Sequence, residues 1–166
     1  GNYAFYGCSG LKNITIPDSV TTIGSDVFSG CTALTGVTIG NGVTVIGDSL
    51  FSGCAGLKSI TVPDSVTTIS RCAFEGCSAL ISVVLGNGVT YIGDCAFWNC
   101  AALTSITMPD GLTTIGNQAL EGCSSLTSIT IPESVTSIGN WAFDICDNLT
   151  DIYYNGSRKE WNKINI

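Results

Sequence analysis

The sequence contains no histidine, a single methionine and only six lysine and arginine residues. Without histidine, the chain lacks the commonest general base and the commonest metal ligand of proteins. Three of the basic residues, Arg158, Lys159 and Lys163, fall within the last nine positions, so the rest of the chain carries little positive charge. Binding to nucleic acid or to anionic lipid needs clustered lysine and arginine, and neither is therefore expected.

Long apolar runs are also missing, and no signal peptide is recognisable. No segment approaches the roughly 18 consecutive apolar residues of a membrane-spanning helix, so membrane insertion is not expected. The 166 residues are nevertheless 45% hydrophobic and only 11% charged, with a net charge of −7. A chain of this composition is too apolar to remain disordered and has the length of one domain. It must therefore bury a core.

Cysteine, by contrast, is abundant and periodic. Seven of the nine cysteines recur at intervals of 23 residues: Cys8, Cys31, Cys54, Cys77, Cys100, Cys123 and Cys146. A leucine follows each of them after three positions, and an isoleucine or valine follows that leucine after three more. Repetition with a period of 20 to 50 residues is typical of a solenoid, a propeller or a repeat array.

Each repeat predicts two short strands joined by a turn. The step from Ile14 to Ile16 has a period of two and β-branched residues, which indicates a strand with one buried face. A Pro-Asp-Ser or Gly-Asn-Gly turn follows, and then a V-T-x-I-G segment, as at residues 20–24, that we interpret as a second strand on the opposite wall. The repeat ends in a helical turn or tight bend before the next cysteine.

A unit of 23 residues cannot bury its apolar side alone, and stacking against its neighbours solves this. We therefore predict a mainly β, right-handed solenoid with short helical turns and parallel, in-register ladders. Residues 1–151 form the array of about six to seven repeats, of which the first is truncated. Residues 152–166 depart from the repeat with polar and aromatic side chains, as a C-terminal capping segment needs.

The repeat resembles that of the BspA-like leucine-rich repeat family. The pattern F-x-G-C-x-x-L stands at residues 28–34, and L-x-x-I-x-I-P-x-x-V stands at residues 126–135. The sequence departs from it at Ser70, Leu120 and Ile145. The resemblance implies a leucine-rich repeat solenoid from a cell-surface or secreted protein, active in adhesion and host or matrix contact. It implies neither enzymatic activity nor a cofactor.

The outward-facing strand residues are the candidate binding surface, on the inner, concave sheet. The candidate partner-binding residues are Asn13, Thr15, Thr38, Thr61, Thr107, Thr130 and Tyr153. Such a polar face suits a protein or glycan partner on a host cell or matrix. The alternative is that threonine stands there because it favours strands and pairs well across them. Tyr153 is the only aromatic platform in this set, which weakens the glycan version.

Trp98 is an additional candidate, because the other members of its column are mostly polar and an exposed tryptophan is a good interface anchor. With these residues we expect a non-catalytic interaction or adhesion module. The alternative is a structural spacer without a ligand of its own. An enzyme is disfavoured because no pair of nucleophile and base can be drawn without histidine.

The cysteines of the 23-residue ladder are expected to be free, buried thiols. Zinc sites need clustered ligands rather than a line along a rod, and side chains in an in-register ladder point the same way, which disfavours disulfides. Cys72 and Cys95 occupy a more mixed column, so we expect these two thiols to be partly exposed, with a disulfide between them as the alternative.

Three further expectations concern the ends and the turns. The N-terminal strand around residues 11–16 forms an open edge, which favours end-to-end self-association. The turn acids, such as Asp18 and Asp64, are interpreted as solvated rather than as Ca²⁺ ligands. Most of them lie about two rungs apart, where a rung is one turn of the solenoid, and this separation is too large for two acids to share one ion. The threonine column of the opposite wall, which includes Thr67 and Thr90, resembles the arrays of ice-binding proteins, but its neighbouring column is too irregular for that function.

Overall fold

A computed structural model describes all 166 residues of the chain as a solenoid of twelve short strands and one helix. Seven strands lie on one side, which we call the front wall: β1 (Asn13–Ile16), β2 (Gly36–Ile39), β4 (Ser59–Thr61), β6 (Ser82–Val84), β8 (Ser105–Thr107), β10 (Ser128–Ile131) and β12 (Asp151–Tyr154). The strands from β1 to β10 turn alternate side chains toward the core, as their period-two pattern predicts, whereas Ile152 in β12 is exposed.

The second strand of each repeat lies on the opposite side, the back wall. Its five members are β3 (Val45–Ile46), β5 (Thr68–Ile69), β7 (Tyr91–Ile92), β9 (Thr114–Ile115) and β11 (Ser137–Ile138). They form one parallel sheet in the order in which they occur along the chain. Each strand has only two residues, so this wall is held together by its repetition along the axis and not by the length of any strand.

Equivalent residues of successive repeats stand opposite each other. In the front wall Ile60 pairs with Val83 and Val83 with Ile106, and all of these pairs are parallel. In the back wall Ile69, Ile92 and Ile115 are aligned in the same way. This arrangement confirms the predicted parallel, in-register solenoid. A shift of one residue would turn every buried side chain outward, so the apolar pattern itself fixes the register.

A third side carries the most regular hydrogen bonding although it contains no strand. In each rung three alternate N–H groups donate to carbonyls of the next rung, as Asp26 does to Asp48, Phe28 to Leu50 and Gly30 to Ser52. This side bends sharply because two residues per rung adopt a positive φ. One is a glycine, Asn99 or Ile145, at 54 to 75°, and the other is a non-glycine residue at 51 to 56°. The column of the latter is Tyr3, Asp26, Ser49, Cys72, Cys95, Gln118 and Trp141.

The front wall is interrupted twice, between β2 and β4 and between β8 and β10, so it consists of three sheets. At the ends of the wall, Gly40 and Asn155 donate their N–H to the carbonyls of Ile16 and Ile131 in the preceding rung. Pro63 and Pro132 occupy the equivalent positions at the two interruptions and have no N–H to donate. Pro109 also lacks this donor, yet β6 and β8 still pair over three residues.

Stacked side chains of equal identity fill the core. Phe28, Phe51, Phe74 and Phe97 form a column of nearly parallel rings whose centroids lie 5.2 to 5.6 Å apart. The leucines, valines and isoleucines of both walls join them in a single buried cluster. Identical shapes at each rung therefore allow the same contact to be repeated along the axis.

The alternation of the two turn types has a structural reason. The Asp18 carboxylate accepts the Asn41 backbone N–H of the next rung at 2.6 Å, and Asp64 accepts that of Asn87 at 2.7 Å. A Cβ on Gly40 would lie 2.5 Å from the Asp18 backbone nitrogen, so the second turn type needs glycine. These acids thus act in rung-to-rung hydrogen bonds, and no group of three or more acids or cysteines is placed to hold a metal ion.

The C-terminal residues pair with both walls. β12 pairs with β10, and the Ile138 N–H in β11 donates to the Asn165 carbonyl at 2.8 Å. Between these contacts lies α1 (Arg158–Trp161), which begins with a capping box in which Ser157 and Glu160 exchange hydrogen bonds. The backbone and side chain of Ser157 hold the pKa of the Glu160 carboxyl below its usual value. The structure contains no helix with the length and hydrophobicity that a membrane span requires.

Candidate interaction surface on the front wall

The outward side chains of the front wall form rows along the solenoid. Thr15 stands opposite Thr38 in the first sheet, Thr61, Val84 and Thr107 are aligned in the second, and Thr130 stands opposite Tyr153 in the third. All seven side chains are exposed. Asn13 is exposed as well, and its side chain lies over Gly36, where a larger residue would have no room. Seven of the eight predicted residues therefore share one surface.

The hydroxyl groups of this surface are not used by the fold. Thr15, Thr38, Thr61, Thr107 and Thr130 make no side-chain hydrogen bond within the chain, so each can donate to and accept from a partner. The threonines of the column before the back-wall strands differ in this respect. The hydroxyls of Thr67, Thr90, Thr113 and Thr136 each donate to the carbonyl of the equivalent residue in the preceding rung.

A cleft of about 390 Å³ opens in the front wall where β2 and β4 are unpaired. Its sides include Thr38 and Thr61, and Gly36 also lines it. The cleft lies where β2 and β4 make no strand hydrogen bonds with each other, and Pro63 beside it supplies no backbone donor. The surface is therefore a corrugated face with one recess.

Two exposed apolar residues lie in the central rung of the front wall. Ile81, directly before β6, is 48% exposed, and Val84 at the end of β6 is 54% exposed. In the column of Ile81, the other repeats have Lys12, Lys58 or a threonine such as Thr35. In the column of Val84, they have threonine or Tyr153. Neither Ile81 nor Val84 was predicted from the sequence as a binding candidate. Their departure from an otherwise polar column was the signal that identifies them.

Trp98 does not belong to this surface. It lies on the third side and is half-buried, and its indole Nε1 is inaccessible and has no acceptor. Trp98 is therefore less accessible than the sequence predicted, although it is not fully buried. The exposed tryptophan is Trp141, one of the positive-φ residues, with 67% of its surface accessible.

Six of the seven ladder cysteines are buried, and none of the nine forms a disulfide. The thiols of Cys54, Cys77 and Cys100 donate to the carbonyls of Phe28, Phe51 and Phe74 in the preceding rung, at 3.2 Å. The other buried ladder thiols make the same hydrogen bond to the equivalent carbonyl of the rung before them. Burial raises the pKa of Cys54 and Cys123 to about 12. A thiol with a raised pKa is a poor nucleophile at neutral pH.

The prediction for Cys72 and Cys95 is only half right. Cys95 is partly exposed, but Cys72 is buried, and burial together with Glu75 raises its pKa to about 12. Cys8, the first member of the ladder, is instead exposed in this structure. The predicted burial of the ladder therefore does not extend to Cys8.

Thiol titration tests this arrangement. In the native protein we expect Ellman's reagent to react with Cys8 first and with Cys95 more slowly, and the Cys95 rate should increase with pH because burial raises its pKa. After denaturation without reductant, at least seven thiols should react. Recovery of three or fewer would show that the ladder is cross-linked. The variant Cys8→Ser is the control, since it should remove only the fast phase.

The fold defines the class of this protein as a leucine-rich repeat solenoid, and comparison with known sequences gives the family. The BspA-type leucine-rich repeat region matches residues 1–119 and 68–164, with six copies of the repeat. The chain therefore belongs to the BspA-type leucine-rich repeat family. No curated protein sequence matches the chain.

Solved structures of bacterial leucine-rich repeat proteins are similar to it. A Bacteroides ovatus protein is 37% identical with a TM-score of 0.86, over 92% of this chain and 39% of its own. The T. pallidum leucine-rich repeat protein is 37% identical with a TM-score of 0.85, over 90% of this chain and 70% of its own. A leucine-rich cell-surface protein of Faecalibacterium prausnitzii is 26% identical with a TM-score of 0.57, over 99% and 65% of the two chains.

Proposed function

We propose that this chain is a non-catalytic interaction module of a cell-surface or secreted protein, and that its front wall binds a protein partner. The observation that carries the proposal is the row of threonine hydroxyls that have no partner in the fold, next to the exposed Ile81 and Val84. Protein interfaces combine an apolar centre with a polar rim. On this surface Ile81 and Val84 form the apolar centre, and the threonines on either side form the polar rim. A spacer without a ligand needs neither feature.

Two further points support the location and the absence of catalysis. One of the similar proteins is named as a cell-surface protein, and the family resemblance implies adhesion at a host cell or matrix. The chain offers no activated nucleophile, because burial raises the pKa of its inner thiols and no histidine is present to act as a base. We therefore assign it a binding role and no reaction.

The double variant Ile81→Thr and Val84→Thr tests the surface. Threonine already stands at aligned positions such as Thr104 and Thr107, so the fold should tolerate both changes. Because apolar residues at the centre of an interface carry much of its energy, the affinity for a matrix protein partner should fall at least tenfold, about 1.4 kcal/mol. Surface plasmon resonance against immobilised extracellular-matrix proteins measures this.

The control is Val45→Thr, an equivalent change on the back wall, where Val45 is 41% exposed. It should leave the affinity unchanged. The assignment of binding to the front wall would be contradicted if the Ile81→Thr, Val84→Thr variant and the Val45→Thr variant lost binding equally. It would also be contradicted if neither variant lost binding. If the chain binds no matrix protein while remaining folded, the spacer alternative takes its place.

We also propose a second kind of contact, between copies of this chain at β1. β1 has a partner only in β2, and beside it lies an apolar recess of about 260 Å³ that includes Ile14, Ile23 and Phe28. We expect concentration-dependent end-to-end association in sedimentation velocity experiments, which Ile14→Lys should weaken. A chain that sediments as a monomer at high concentration would contradict this prediction, and Val45→Thr is again the control.

A further inference from the structure

The back wall contains a recess of about 500 Å³ beside the C-terminal residues. β7, β9 and β11 form its base, and Asn165 stands at its side. Gly116 and Gly139 leave the base bare. A Cβ on Gly116 would lie 2.6 Å from the Asp94 backbone nitrogen, and one on Gly139 would collide with that of Asn117, so the close approach of the rungs requires glycine here.

A chain of hydrogen bonds orients the polar groups of the recess. Asp94 Oδ1 accepts the backbone N–H of Asn117 at 2.7 Å and its side-chain amide at 3.1 Å. Asn117 Oδ1 in turn accepts the Asn140 backbone N–H at 2.9 Å. The second oxygen of Asp94 and the side-chain amides of Asn140 and Asn165 have no partner in the chain. The recess is thus lined by a carboxylate oxygen and two amides that the fold leaves free to bind a ligand.

Tyr91 adds an aromatic ring to the rim of the recess. It is 40% exposed, and its partners in register are Thr68 and Thr114. Because the aligned residues are small, the ring projects beyond its neighbours in the wall. An exposed tyrosine has an apolar face for stacking and a hydroxyl for hydrogen bonding.

We propose that this recess binds a neutral saccharide. Sugar hydroxyls donate and accept at once, and the recess offers both amide donors and carboxylate or carbonyl acceptors, while the ring of Tyr91 suits the C–H face of a pyranose. No lysine or arginine lines the recess, which disfavours anionic ligands, and it lacks the group of acids that a metal ion needs. This site lies on the wall opposite the proposed protein-binding surface and does not depend on it.

Binding to an array of neutral and anionic oligosaccharides tests the proposal, followed by calorimetric titration of the neutral oligosaccharide that gives the strongest signal. The test variant combines Tyr91→Thr with Asn140→Ala. Threonine is the residue of both neighbouring rungs, and the Asn140 side chain has no partner in the fold. We expect at least tenfold weaker binding than in the wild type, with an unchanged unfolding temperature.

Val45→Thr on the same wall and the front-wall variant Ile81→Thr, Val84→Thr should both bind the saccharide as the wild type does. Three results would overturn the proposal: no binding to any neutral oligosaccharide, binding only to anionic ones, or binding that the Tyr91→Thr, Asn140→Ala variant retains. A variant that no longer binds a protein partner through the front wall can still be tested for saccharide binding, so either proposal can fail without the other.

Discussion

Replacing Ile60 by aspartate should abolish the cooperative thermal unfolding of the whole array. Ile60 is 3% exposed and stands in register with Val83, in the middle of the front wall. An aspartate there would place an unpaired charge in the core, which costs several kcal/mol, and domains of this size are stable by only about 5 to 15 kcal/mol. Because each rung covers its neighbours, the damage should spread along the axis.

Circular dichroism during heating measures this effect, and Thr61→Asp is the matched control. Thr61 is the next residue in the same strand but faces solvent, so its replacement should change the stability by no more than about 0.5 kcal/mol. If the Ile60→Asp variant keeps the wild-type transition, Ile60 is not in the core and the stacking described above is wrong.

Truncating Phe74 to alanine should destabilise the protein by about 3 to 5 kcal/mol. Phe74 is fully buried, and its ring stacks between those of Phe51 and Phe97, at centroid distances of 5.5 and 5.2 Å. The substitution removes the ring, leaves a cavity and interrupts the column. Equilibrium denaturation in urea gives the loss in free energy of unfolding.

The same substitution at the end of the column is the control. Phe5 stacks on Phe28 from one side only and is 46% exposed, so Phe5→Ala should cost much less than Phe74→Ala. Equal losses for the two variants would show that burial and stacking on both sides do not determine the contribution of each ring.

The walls were predictable from the sequence because register and burial follow from local periodicity. The two-residue step at Ile14 and Ile16 and the 23-residue repeat predict the parallel pairing of Ile14 with Val37 that the structure contains. The sequence of a single repeat, together with the need to bury its apolar face, was enough to predict this pairing. Pro63 and Pro132 stand at the two interruptions of the front wall, but the sequence alone does not predict these interruptions, because Pro109 at the equivalent position leaves β6 and β8 paired.

The third side was harder to predict, because its conformation does not follow from residue type. Residues such as Ser49, Gln118 and Trp141 adopt positive φ angles there, at a cost of about 1 kcal/mol or more each. They do so because three inter-rung hydrogen bonds per repeat hold the bend. Side-chain exposure along this side therefore could not be predicted from the sequence alone, and Trp98 and Cys72 are less exposed than their columns indicated.

The candidate surface was predictable as a face but not in its details. Strand alternation places Thr38 and Thr61 outward, whereas the cleft between them lies where β2 and β4 do not pair, which the repeat pattern does not predict. The strongest apolar feature, Ile81 and Val84, was visible in the sequence only as a departure from its columns. In a repeat protein such departures are more informative than the consensus, because the consensus residues serve the stacking that all rungs share.

The central claim, that the front wall is the binding surface, is tested most directly by site-specific photo-crosslinking. A benzophenone amino acid replaces Val84 on the front wall or Val45 on the back wall, two exposed valines for which threonine is the usual column residue. Both proteins are then irradiated with the same extracellular-matrix preparation. We predict a discrete crosslinked protein from position 84 that is absent from position 45 and is competed away by unlabelled wild type but not by the Ile81→Thr, Val84→Thr variant. The same adduct from both positions, or adducts from position 45 alone, would contradict the account.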